Sequence, residues 1–173
     1  MNSPQDGLKA LDAKIFSDQI TMLPQLRIWR SGKKRIVFTN GCFDLLHAGH
    51  VAYLEEARAL GDVLILGLNT DSSVKLQEKD PHRPIQDQIT RARVLAALSA
   101  VDAVVFFDDL TPESLIREVR PDVLVKGGDW NPDRIAGGVF VTEYGGIVRS
   151  LPFLPGNSTT DIIQRILDRY GKR

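Results

Sequence analysis

The run Val63-Leu64-Ile65-Leu66-Gly67-Leu68 is apolar throughout and lies between Gly61-Asp62 and Asn69-Thr70-Asp71. It is too short for a buried helix, and its lack of alternation means that both faces are covered. A strand of that kind belongs to a parallel sheet, whose neighbouring strands need long, usually helical, crossovers. The rest of the chain supplies them. Strands are expected at 35–39, 63–68, 101–107, 123–125 and 147–151, and helices at about 48–60, 88–99, from Thr111-Pro112-Glu113 onward, and 158–170. Gly61 is a stop signal for the first helix, and Thr111 with Pro112 is a start signal for the third. The expected fold is α/β: a Rossmann-like open parallel sheet of about five strands with flanking helices and right-handed crossovers.

With 173 residues the chain fits one main domain, expected at 34–173, preceded by an N-terminal extension at 1–33. Within the extension, 15–31 reads as a short helix or two, interrupted or restarted at Pro24, with Leu26, Ile28 and Trp29 as apolar anchors. Lys+Arg and Asp+Glu both count 22, so nothing in the charge balance favours nucleic acid or an anionic membrane. Any phosphate binding is therefore expected to be local and aimed at a small molecule. Residues 1–12 lack the basic start and apolar run of a signal peptide, and no apolar stretch reaches spanning length. A cytoplasmic address is expected. The single cysteine, Cys42, excludes an intrachain disulfide and reads as a small packing residue.

Candidate functional residues follow the expected strands, at the carboxyl edge where such sheets bind ligands. After the first strand comes Thr39-Asn40-Gly41-Cys42-Phe43-Asp44-Leu45-Leu46-His47-Ala48-Gly49-His50. His47 and His50 are three apart and share a helix face. They stand beside the unpaired N–H groups of a helix start, where a polyphosphate can sit. Gly49 is expected to leave room for a phosphate to approach the backbone. Imidazoles can donate to phosphate oxygens as charge grows in a phosphoryl-transfer transition state. The alternatives are a metal pair, for which His82 is the sole further histidine, or two structural histidines.

Three other segments converge on the same edge. In Lys126-Gly127-Gly128-Asp129-Trp130, Lys126 can hold a phosphate as a point charge, Asp129 can meet a hydroxyl or a base, and Trp130 can stack or simply pack. Gly156-Asn157-Ser158-Thr159-Thr160-Asp161 offers helix-capping hydroxyls that also make an anion site. Lys79 and Arg83 in the 75–87 loop, with Arg91 on the following helix, form either a surface charge cluster or a basic closure over a triphosphate.

The TNGCFDLLHAGH segment, with its HxGH core, resembles the signature of the cytidylyltransferase-like nucleotidyltransferases. Within them, VKGGDW at 125–130, Ile135-Ala136-Gly137 and GNSTTDII at 156–163 look most like the bacterial D-glycero-β-D-manno-heptose 1-phosphate adenylyltransferases, over about 34–168. The resemblance implies transfer of AMP from ATP to the heptose phosphate, giving ADP-heptose for lipopolysaccharide core assembly and pyrophosphate. It implies catalytic roles for His47, His50 and Arg91. Nucleotide contacts are implied at Thr39, Asn40, Gly41, Phe43, Gly49, Gly127, Asp129, Ser158, Thr159 and Thr160. Asp44, Lys79, Arg83 and Lys126 fall to the sugar phosphate side. It further implies magnesium bridging the ATP phosphates rather than held in a protein cage, and a homodimer. The length suggests a stand-alone form without the sugar kinase domain of bifunctional members.

Two departures stand out. Phe153-Leu154-Pro155 occupies the place where cytidylyltransferases carry Arg-Thr-x, which weakens a CTP reading. Lys79-Asp80 replaces the Lys-Gly common in the heptose group. A cytidylyltransferase acting on a polyol or amino-alcohol phosphate, such as glycerol 3-phosphate, is the alternative enzyme. A nucleotide-sensing protein that keeps the fold without catalysis is the alternative from another class.

Overall fold

The apolar run forms β3 (Val63–Asn69), every residue of it buried. Around it stand β2 (Ile36–Gly41), β4 (Ala103–Phe107), β5 (Val123–Gly127) and β6 (Ile147–Leu151). The structure is a computed structural model and describes residues 10–77, 81–128, 130–131 and 134–171. A sixth strand, β1 (Ile15–Phe16), pairs with β4. The sheet order is β1-β4-β3-β2-β5-β6, with all five pairings parallel. The expected count of about five strands thus becomes six, because a two-residue edge strand carries no periodicity for a sequence to display.

Residues 15–31, expected as part of an extension, are built into the domain. After β1 comes one uninterrupted helix, α1 (Gln19–Ser31), with Pro24 inside it. Its start is held by a capping box in which Asp18 and Thr21 satisfy each other's backbone amides. Met22 and Leu26 on its inner face are buried against the sheet. Ile28, one of the expected anchors, is instead 62% exposed.

The crossover helices are α2 (Ala48–Arg58), α3 (Asp71–Leu76), α4 (Gln88–Ala96), α5 (Glu113–Val119) and α6 (Gly138–Glu143), with α7 (Thr159–Tyr170) following β6. They cover two faces. Tyr53 and Leu54 of α2 and Leu95 of α4 pack with Leu64, Leu66, Val104 and Val125. On the other face α1, α5 and α6 pack Met22, Leu115 and Val141 against Phe38, Ile65 and Leu124.

At the amino edge of the sheet the register is locked by carboxylates. Asp62 accepts from the Arg35 amide at 2.8 Å, Asp102 from Leu64 at 2.8 Å and Asp122 from Ile36 at 2.7 Å. Each pins one strand to its neighbour and leaves the carboxyl edge free for ligand. Strand order reverses between β2 and β5, which is where a ligand crevice opens in such a sheet. Asn40 is the next-to-last residue of one of these strands and Lys126 of the other.

Candidate active site

The sequence starts this helix at about residue 48, and the structure agrees, with His47 as the cap of α2. Its backbone is extended, and its Nδ1 accepts from the His50 amide at 3.3 Å. An acceptor Nδ1 assigns the proton of the neutral ring to Nε2, which is left as a donor. The His47 and His50 rings stack, with centroids 3.8 Å apart and planes 20° from parallel. Burial pushes the His50 pKa down to about 4, the neighbouring His47 adds to this, and the Leu45 main chain opposes it. His47 is also lowered by burial, against an opposing pull from Asp161. Near neutral pH both rings are uncharged donors. The His50 Nδ1 is buried and has no hydrogen-bond partner among the described residues.

Gly49 is closely packed on its Cα side. A Cβ there would lie 3.0 Å from His47 Nδ1 and 3.0 Å from the Asn157 Cβ. The space where a Cβ would stand is therefore filled by the His47 ring and the segment leading into α7. Glycine lets the imidazole fold back over its own helix and lets the Gly156–Asp161 segment close on it. At the start of α7, Ser158 accepts from the Asp161 amide at 3.0 Å. Thr159 is buried and Thr160 exposed.

Phe43 adopts a left-handed backbone (φ 45°), a sparsely populated conformation for an aromatic residue. Its ring lies 5.2 Å from that of His50 and close over Gly41, where a Cβ would meet it at 2.9 Å. Thr39 is fully buried and shares a 2.5 Å hydrogen bond with the Tyr53 hydroxyl. Burial raises the Tyr53 pKa, so the phenol stays protonated. Tyr53 lines the cavity beside His50 and was not picked out from sequence. The signal was its place three residues after His50, on the same face of α2.

That cavity, of about 180 Å³, is bounded by Gly41, Phe43, His50, Tyr53, Gly127 and Phe153, and by the Asn40–Lys126 pair. Lys126 Nζ donates to Asn40 Oδ1 at 3.4 Å, bridging β2 and β5 where strand order reverses. Gly127 permits the Phe153 ring to lie against it, since a Cβ there would come within 2.6 Å of the ring. Gly128 has φ 101° and donates its amide to the Leu151 carbonyl at 2.8 Å.

Two expected site residues have other employment. Arg91 has a side chain of 0% exposure, with Nε donating to Gln86 O, Nη1 to Cys42 O and Asn69 O, and Nη2 to Asp71. The guanidinium thus ties the 42, 69 and 86 loops together and presents no free edge to a phosphate in this arrangement. Asp44, assigned to the sugar phosphate side, is buried and accepts from the Ile85 and Gln86 amides at 2.9–3.0 Å. It anchors the end of the long loop. Arg83 lies two residues before those amides, with no hydrogen bond or ion pair among the described residues. Lys79 and Asp129 lie outside the described residues. Cys42 packs its sulfur 3.8 Å from Asn69 Oδ1 and 3.7 Å from Gln77 Oε1.

Stacked neutral imidazoles at a helix start, with His50 lining a cavity at the switch point of a parallel sheet, fit an α/β nucleotidyltransferase of the HxGH type. The chain belongs to the cytidylyltransferase-like family, whose family model matches residues 38–165. It is 54% identical over 145 residues to the bifunctional protein HldE of Syntrophotalea carbinolica, covering 84% of this chain and 29% of that protein. The HldE of Methylobacillus flagellatus is 53% identical over 146 residues, with 84% and 30% covered. The chain therefore spans under a third of these relatives' length. A solved structure described as the lipopolysaccharide core biosynthesis protein from Thermoplasma volcanium GSS1 aligns with a TM-score of 0.59 at 25% identity, covering 72% of this chain and 99% of that one.

Proposed function

We propose that this protein transfers AMP from ATP to D-glycero-β-D-manno-heptose 1-phosphate, giving ADP-heptose and pyrophosphate for lipopolysaccharide core synthesis in the cytoplasm. The carrying observation is the stacked His47–His50 pair, whose His50 lines one cavity with the Asn40–Lys126 bridge. The likeness to the HldE proteins and Phe153-Leu154-Pro155 in place of Arg-Thr-x support ATP over CTP.

A phosphate oxygen of the acceptor attacks the α-phosphorus, forming one P–O bond. The bond bridging the α- and β-phosphates breaks, and pyrophosphate leaves with the electron pair. The attacking oxygen is already ionised, so no general base is needed. His47, through Nε2–H, and His50 donate to the phosphate oxygens on which charge grows, and Lys126 supplies a fixed positive charge. Arg91, Asp44 and Gly49 hold these groups in place from outside the reacting atoms.

Among the described residues no group of three or more His, Cys, Asp or Glu is placed to hold a metal ion. Magnesium would enter on the triphosphate and would neutralise phosphate charge there. Residues Ile166, Leu167 and Tyr170 on α7 are 50–69% exposed, which supports a homodimer through that helix. Among the described residues no helix is long and apolar enough to cross a membrane.

The test is pyrophosphate release with ATP and with CTP against heptose 1-phosphate, other sugar 1-phosphates and glycerol 3-phosphate. ATP with the heptose phosphate is the expected pair, and activity confined to CTP refutes the proposal. Sedimentation of the purified protein decides the dimer.

A further inference from the structure

A second cavity, of about 250 Å³, adjoins the one beside His50, and Asn40 and Lys126 line both. The two differ in chemistry. The first is walled by rings, glycines and His50. The second lies toward α5 and is lined by Gln77, Thr111, Lys126, Trp130 and Arg134. Arg134 and Thr111 make no side-chain hydrogen bond or ion pair among the described residues. Among the described residues Gln77 uses only its Oε1, which accepts from the Cys42 sulfur, and its amide N–H groups have no partner there. Trp130 is 49% exposed, with its indole edge beside Gly128.

We propose that this second cavity is the acceptor chamber and that Arg134, Gln77, Thr111 and Trp130 select a polyhydroxylated phosphate ester. The inference rests on the reading of this site as one of nucleotidyl transfer. A cation beside amide and hydroxyl groups matches a ligand with one phosphate and many hydroxyls, and an indole face matches the C–H face of a sugar ring. The shared wall supplies the geometry. With the triphosphate along the histidines and the acceptor on the α5 side, their reacting groups meet at the Asn40–Lys126 bridge. The acceptor P–O bond then forms across that bridge while pyrophosphate departs on the histidine side.

Arg134 is exposed, so its replacement leaves the core untouched. Arg134→Gln should raise the KM of the acceptor at least tenfold and change that of ATP less than twofold, with partial rescue by Arg134→Lys. An effect confined to ATP, or none on either substrate, overturns the assignment. Should the wild type prove active only with CTP and glycerol 3-phosphate, the heptose reading falls, and the same comparison with those substrates still decides the chamber. A readout without turnover uses Trp130 emission in a Trp29→Phe background, with D-mannose 1-phosphate and glycerol 3-phosphate as probes and no nucleotide present. A change that Arg134→Gln abolishes supports the chamber. No change with either probe overturns it.

Discussion

Replacing Arg91 with methionine separates two accounts of this residue. The family resemblance puts Arg91 on the phosphates, whereas its observed contacts make it a tie between loops. Methionine keeps most of the aliphatic volume but deletes bonds of 3.0 Å to Gln86 O, 2.6 Å to Cys42 O, 3.0 Å to Asn69 O and 2.6 Å to Asp71. A buried acceptor left without a partner costs about 1–3 kcal/mol. Breaking a buried ion pair by removing one member costs about 3–5 kcal/mol. Asp71 retains partial exposure and Cys42 is only half-buried, so water recovers part of this. The net loss should be about 3–5 kcal/mol. A domain of this size loses about 2–4 °C of Tm per kcal/mol, so calorimetry should record a fall of roughly 6–20 °C. Arg91→Lys keeps the charge but cannot reproduce the fork, and should give a smaller fall. A variant with Tm unchanged within about 2 °C and turnover alone abolished would refute the reasoning and return Arg91 to the phosphates.

Three further outcomes are expected. His50→Ala should lower turnover by orders of magnitude while circular dichroism stays native; near-normal turnover would remove it from the mechanism. The folded His50 pKa of about 4 lies below the ordinary 6.5, so its contribution to stability is complete above pH 6.5 and is lost as pH falls toward 4. After discounting for its partial exposure this amounts to about 1 kcal/mol at pH 5, read as a pH 5 to pH 7 difference in urea stability that His50→Asn reduces. Gly49→Ala gains up to about 1 kcal/mol of helix propensity but presses on His47 and Asn157 at 3.0 Å. Its Tm should therefore move little while turnover drops at least tenfold, and unchanged turnover would mean that the His47 ring is free to relocate.

Strands β2 to β5 were legible because each carries a continuous apolar run, and the start of α7 was legible from its Ser158 cap. The HxGH segment was legible because both histidines and the helix start lie within one turn of chain. The edge strand Ile15–Phe16 was not, since two residues show no period and its pairing with Val104 and Val105 lies in another part of the sequence. Pro24 looked like an interruption of α1, yet the capping box and the burial of Met22 and Leu26 hold the helix through it. Tyr53 passed unnoticed because its role depends on a hydroxyl contact with Thr39 across the β2–α2 interface.

By itself the sequence determined the class of fold and the chemistry at its centre: alternating strands and helices, two imidazoles at a helix start, and cation- and hydroxyl-bearing loops at strand ends. These follow from local periodicity, capping and residue type, which act over a few positions. Tertiary structure decided how those groups are used. Arg91 and Asp44 carry the charges expected of phosphate and sugar ligands, but amides and carbonyls up to 49 residues away claim them first. Gly49 was legible as a place needing no side chain, while only packing shows that His47 and Asn157 fill the space. The same holds for the reversal between β2 and β5, which sets Asn40 against Lys126 across 86 residues of sequence. Hydrogen-bond competition and close packing operate between segments distant along the chain, and no local pattern encodes which partner wins.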